Sequence, residues 1–203
     1  MEKTETMKIE LTFTEGFLGT TPGDAEIFTD HIASKAPKDA NTDEELAAIN
    51  GAEEIEKSST IFPKDPGGRP FIWDYQVKGF FKDACGMLRR VDGTASKKIK
   101  AYKKVIDGLV FVEPRRIHLG FPPGAEIGIC ERPLRAQTPQ GERVCLARSE
   151  EAPVGTVLHF SIVALTAEVA DAIEEWLDYG SRRGLGQWRN SGKGRFVYKL
   201  ISD

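Results

Sequence analysis

The 203 residues, 40% hydrophobic and 29% charged, suffice for one compact domain with a sizeable core, or for one domain carrying an insertion. The N-terminus has no apolar h-region and no apolar run approaches ~18 residues, which argues against secretion and membrane spanning and fits a cytoplasmic protein. Cys85, Cys130 and Cys145 make no CxxC pair, which fits reduced thiols and excludes a structural zinc site of the usual pattern. The net charge of -3 conceals an asymmetry: residues 1–56 hold fourteen acids against four lysines, and residues 57–203 hold seventeen acids against twenty-four Lys or Arg. Nine Lys or Arg face two Asp over residues 78–104, and six face no acid over residues 181–199. Such clusters are the footprint of a polyanion partner or of a solvated helix face.

The chain opens with a strand, since residues 8–14 alternate apolar and polar side chains. Glycines 16, 19 and 23 with Pro22 then mark a loop. Residues 24–57 read as an acidic helical insertion or lid: a first helix ends at Pro37, and Thr42-Asp-Glu-Glu45 forms a capping box that opens a second. After the Asp65-Pro-Gly-Gly68 turn, a short extended segment leads into a helix over 75–91, with Asp74 as N-cap and Val77, Phe80, Phe81, Ala84, Leu88 and Val91 as its packing stripe. Gly79 and Gly86 each cost that helix about 1 kcal/mol against Ala, which points to a close backbone approach. A lysine-rich helix is expected over 96–106, strands over 109–112 and 115–120, and a β-hairpin insertion within 127–150 whose turn is Thr138-Pro-Gln-Gly141. Residues 156–165 form the longest apolar strand, placed centrally. Thr166 caps a helix with Val169, Ile173, Trp176 and Leu177 on one face, and residues 195–201 close the chain as a strand. Without the two insertions the order is β-α-β-β-α-β, so the expected fold class is α+β, ferredoxin-like (RRM-like), in a single domain.

The sharpest local feature is residues 180–194, where Gly180, Gly184, Gly186, Gly192 and Gly194 interleave with Arg182, Arg183, Arg189, Lys193 and Trp188, and no carboxylate is present. Glycines let backbone N–H groups approach phosphate oxygens, arginines supply forked donors, and tryptophan stacks on bases. Gly192-Lys193 is no phosphate-binding P-loop: Gln187 replaces the required glycine, Gly194 follows the lysine, and the loop lies between a helix and a strand instead of the reverse. Gly184-x-Gly186 lacks the βα context of a dinucleotide fingerprint.

A glycine- and arginine-rich loop after the second helix, just before the last strand of such a fold, resembles the signature of the RAMP superfamily of CRISPR-associated RNA-binding proteins. Val77-Lys78-Gly79, followed by Arg89, is similar to the leucine-lysine-glycine opening of the first helix in its backbone (Cas7-like) subunits, with Tyr75 and Gln76 where those carry serines. The resemblance spans residues 8–23, 69–91 and 156–201. It implies a guide or single-stranded RNA partner, other CRISPR complex subunits or copies of itself, and no cofactor. The RNA-binding residues are then Lys78, Arg89, Arg90, Arg182, Arg183, Gly184, Gly186, Trp188, Arg189, Lys193 and Arg195.

Some members of that superfamily cut RNA, for which Asp24, Asp30 and His31 are the candidates here, but no partner to orient His31 is identifiable. His118 and His159 fall within strands and read as structural. No catalytic triad or metal-spaced carboxylate cluster is legible. The leading expectation is therefore a non-catalytic RNA-binding subunit. An endoribonuclease and a phage-encoded mimic that inhibits a CRISPR complex by protein contact are the alternatives.

Overall fold

The computed structural model describes residues 5–23, 59–138 and 141–201, and the following holds for these residues. Strand β1 (Glu5–Phe13) buries Met7, Ile9, Leu11 and Phe13 on one face and turns the residues between them outward, as a period of two requires. It is paired on both edges, antiparallel to β11 (Phe196–Ile201) and to β10 (Val157–Ala164), so that Ile9 stands opposite both Leu200 and Phe160. The free edge of β10 is shared by β6 (Val110–Glu113) and β7 (Arg116–Gly120), and β5 (Phe71–Trp73) adds to β7. Across this sheet the order is β11-β1-β10-β7-β5, with β10 in the middle as its apolar sequence demands.

Helices α1 (Asp74–Leu88) and α3 (Ala167–Arg183) supply the buried stripes that cover the sheet. Phe81 of α1 meets Trp176 of α3 with ring centroids 5.3 Å apart, and Phe80 lies edge-on to Phe196 of β11 at 5.5 Å. Burial of these large aromatic and aliphatic groups, at roughly 1.5–3 kcal/mol each, is the main force holding the layers together.

A second sheet is built around β9 (Gly141–Ala152). Strand β8 (Gly128–Thr138) pairs with it from Gly128 opposite Glu151 to Thr138 opposite Gly141. Along its other edge lie β2 (Phe17–Leu18), antiparallel, and β4 (Ser59–Ile61), parallel, with β3 (Thr21–Pro22) outside β4. The hairpin thus runs two residues past its expected end, to Ala152, and the loop after β1 contributes two short strands.

Several expectations are corrected. The N-cap of α1 is Trp73, not Asp74: its N–H is received by the Gln76 Oε1 at 2.9 Å, and Asp74 begins the helix proper. Val91 is 52% exposed, because the helix ends at Leu88 and turns away from the core. The lysine-rich helix over 96–106 is broken. A 3-10 turn (Ala95–Lys97) and a left-handed Ala101 (φ 49°) precede α2 (Tyr102–Leu109). Glu175 of α3 caps the 3-10 turn, receiving the N–H groups of Ala95 and Ser96 and the Ser96 hydroxyl on its carboxylate, and the left-handed Ala101 interrupts the helix after it. Gly79 makes no close approach, for a Cβ there would meet nothing within 4 Å, whereas one at Gly86 would stand 2.9 Å from the Tyr102 hydroxyl. Gly180 to Arg183 belong to α3, not to the loop. His159 sits on the outer sheet face with its side chain 63% exposed, 3.3 Å from Glu10.

Cys85 and Cys130 are free thiols, and burial pushes the Cys85 thiol up. Cys130 stands opposite Ser149 and Cys145 opposite Leu134. Four residues of strand, about 13 Å, therefore separate the backbones of Cys130 and Cys145, beyond the ~7 Å a disulfide tolerates. The acidic helices expected over 24–57, with Asp24, Asp30, His31 and the capping box, lie outside the described residues, as does the centre of the hairpin turn at 139–140. No described helix is long and apolar enough to cross a membrane.

Candidate functional site

The glycine loop runs from Gly184 to Arg195, and its own backbone fixes its shape. The Gly184 N–H bonds to Gly180 O at 2.9 Å, the Leu185 N–H to Gly194 O at 2.8 Å, and the Gly194 N–H to Gly16 O at 2.9 Å. Leu185 is buried and pins the loop to the core. Gly184 (φ 77°) and Gly194 (φ 71°) lie where the two arms of the loop cross: a Cβ would stand 2.4 Å from Lys193 O at the first and 1.9 Å from Leu185 O at the second. Only glycine fits there. Gln187 locks the middle of the loop to the second sheet, because its amide nitrogen donates to Thr60 Oγ1 at 2.6 Å, to Ser149 Oγ at 3.1 Å and to Gly19 O. Its oxygen accepts from Arg132 at 3.1 Å.

The cations divide into two groups. Arg183 and Arg189 both reach Asp83 Oδ2 of α1, at 3.0 and 2.8 Å, and Lys193 holds Glu151 of β9. That carboxylate raises the ammonium pKa of Lys193. A loop with no acid in its own sequence is therefore partly neutralised by acids from distant elements. Arg182 and Arg195 are exposed, with Arg195 Nε donating to the Arg182 carbonyl at 3.1 Å. Trp188 adopts a left-handed backbone (φ 55°), is 38% exposed, and carries Arg132 over its ring at 5.2 Å. Away from the loop, Lys78 donates to Asp107 O at 3.1 Å and lies 5.5 Å from the centre of Phe111, and desolvation lowers its pKa. Arg89 covers the Tyr102 ring at 5.2 Å, and Arg90 is exposed at the end of α1.

Between α1 and the loop lies a cleft of about 190 Å³, lined by Phe17, Thr20, Gln76, Gly79, Phe80, Leu185, Gly186 and Arg189. Gly186 (φ 86°) is required there, since a Cβ would stand 2.7 Å from the Phe17 ring.

Sequence reasoning missed Gln187 and Arg132 as organisers of the loop, and it missed a second basic and aromatic cluster at β5 and β7. Arg115 lies over Trp73 at 4.9 Å, Arg116 over Phe71 at 5.5 Å, and the 41% exposed Tyr75 stacks on Trp73 at 6.3 Å. His118 bonds Asp65 Oδ2 at 3.0 Å beside them. The signal was present in Phe71-Ile-Trp73 and Arg116-Ile-His118, two alternating segments whose polar and aromatic members share one face once paired. Among the described residues no group of His, Cys, Asp or Glu has the makings of a metal site.

No family model matches the chain, and no curated protein matches it. Solved structures do. Over 98% of its length the chain is similar to a chain in a cryo-EM structure of the Type III-B Cmr-beta bound to cognate target RNA, at 13% identity and a TM-score of 0.52. It spans 60% of that chain. A chain of a Type IV-B CRISPR complex is matched over 98% of this chain and 91% of its own length, at 12% identity and a TM-score of 0.51. The likeness is one of fold: the mixed α+β architecture is shared with subunits of CRISPR complexes.

Proposed function

We propose that this chain is a non-catalytic, RAMP-like RNA-binding subunit of a CRISPR-type ribonucleoprotein, gripping the phosphates of a guide or single-stranded RNA with the loop over 182–195 and the first helix. The order β11-β1-β10-β6/β7, with α1 after the first of these strands in sequence and α3 after the third, supports a ferredoxin-like reading of the main sheet. One similar chain belongs to a structure solved with target RNA bound, which supports RNA as the ligand. Other subunits, or further copies of this chain along the RNA, are the partners that go with that role.

The observation that carries the proposal is the built loop. Its frame is held by internal hydrogen bonds and by Gln187, while Arg182 in the last turn of α3 before it and Arg195 at its end remain exposed. A rigid frame carrying exposed guanidinium groups loses little entropy on meeting phosphate. Arg183 and Arg189 have a structural duty at Asp83, so Arg182 and Arg195 are the informative positions.

The test is the salt dependence of affinity for a single-stranded RNA 20-mer. Log affinity is expected to fall linearly with log salt, by about 0.7 per phosphate contacted. Changing Arg182 and Arg195 together to Ala is expected to flatten that slope by about one to two units, with the RNA recovered intact. An unchanged slope and affinity would remove the loop from the interface.

A further inference from the structure

We infer that the cleft between α1 and the glycine loop receives a single nucleobase of the bound strand, and that residue 79 is glycine to keep the cleft open. The inference rests on the RNA-binding reading above and extends it from phosphates to bases.

Gly79 is exposed in the interior of a 15-residue helix, where glycine is the poorest residue after proline. Packing supplies no reason for it, because an added Cβ meets nothing within 4 Å. The other interior helical glycines differ: Gly86 faces the Tyr102 hydroxyl, and Gly180 faces the Phe196 ring at 1.9 Å. Gly108 is also open, but it lies in the last turn of α2, where helix geometry is already relaxing. What Gly79 does border is the cleft.

The lining has the chemistry of a base site. Its floor is apolar and fixed, with Phe17, Phe80 and Leu185 buried and Phe17 stacked on Phe13 at 4.2 Å. Its rim is polar and equally fixed. Gln76 is held through both ends of its amide, accepting from the Trp73 N–H and donating to Thr20 Oγ1 at 2.5 Å. Thr20 thereby keeps its own hydroxyl proton to donate. Arg189 is anchored by one nitrogen on Asp83 and keeps further N–H groups for a ligand. A flat ring system with acceptor atoms on its edge suits an apolar floor and a rim of donors.

The volume narrows the choice. About 190 Å³ is the space of roughly six waters, and it falls below the range of roughly 300–1,000 Å³ typical of drug-sized ligands. One base fits while its sugar and phosphate stay outside. The exposed Arg182 and Arg195, which flank the same loop, are the groups suited to that phosphate.

The experiment uses the full chain, a single-stranded RNA 20-mer, and a 20-mer of the same length with an abasic sugar-phosphate backbone. Gly79→Ala is expected to raise the melting midpoint by about 2–4 °C, since it removes a helix-interior glycine without a clash. Gly79→Leu is expected to fold, to keep the wild-type salt slope, and to lose about tenfold in affinity for the RNA, the scale of one base contact. Both proteins are expected to bind the abasic strand equally. Wild-type protein that binds RNA with no loss in Gly79→Leu overturns the cleft proposal alone, as does an equal loss on the abasic strand, which would mean the leucine merely blocks the backbone. Wild-type protein that binds neither strand overturns the RNA-binding reading itself.

Discussion

Asp65 illustrates how much one side chain organises at the turn before β5. Its carboxylate receives the backbone N–H groups of Gly67 and Arg69, the Arg69 guanidinium and the His118 ring, joining the turn to β7. The Arg69 N–H chiefly, then the Arg69 and His118 side chains, hold its carboxyl down to about 2 against a desolvation that works the other way. A carboxyl depressed in the folded state contributes stability that is full above its unfolded pKa, about 3.9, and is lost as pH falls through its folded value. Asp65→Asn is therefore expected to be less stable than the parent near pH 6, with the gap closing between about pH 4 and pH 2. Urea unfolding across that range measures it, and a gap that stays constant with pH would mean the carboxylate's charge plays no part. Asp83 gathers Arg183 and Arg189 in the same manner, so one acid ties α1 to the end of α3 and to the glycine loop.

At the scale of elements, glycine is used in opposite ways by two helices that pack side by side. In α3, Gly180 brings the helix backbone against Phe196, and a Cβ there would lie 1.9 Å from the ring. Phe196 is itself wedged among Phe13 and Phe80, so it has little room to yield. Gly180→Ala is thus expected to cost about 1–3 kcal/mol in urea unfolding despite the better helix propensity of alanine, the reverse of the outcome at Gly79. A neutral or stabilising result would show that α3 shifts freely on β11. Both helices, their apolar stripes, the central strand at 157–164 and the hairpin were legible because each is long enough to show its period. The second sheet was not: β2, β3 and β4 have two or three residues each, β2 and β4 pair with β9 far along the chain, and β3 is held only through β4. Charge on the loop was legible but its compensation was not, since Asp83 lies about a hundred residues from Arg183. The break before α2 was hidden too, since nothing in an alanine at 101 announces a left-handed backbone.

Over the whole molecule the proposed RNA-binding role raises the question of how a chain of net charge -3 would bind a polyanion. Residues 24–57 carry ten acids against three lysines, so the rest of the chain has a net charge of +4. The two ends of that segment leave the second sheet together: β3 pairs with β4, placing Pro22 opposite Thr60, and the Gly23 N–H bonds to Ser59 O at 2.9 Å. A short Gly-Ser bridge can therefore replace residues 24–57 without pulling on either strand. Like charge repels RNA only within about a Debye length, roughly 10 Å at 0.1 M salt and roughly 30 Å at 0.01 M. Excision is expected to raise affinity for a single-stranded RNA 20-mer several-fold at 20 mM salt and to leave it unchanged near 0.5 M, so that the salt slope steepens. The phosphate contacts themselves stay the same, and the added slope comes only from the lifted repulsion. Binding titrations of the parent and the excised chain over that range decide the matter. A fall in affinity at every salt concentration would instead make the acidic segment part of the binding surface, with contacts of its own to the RNA.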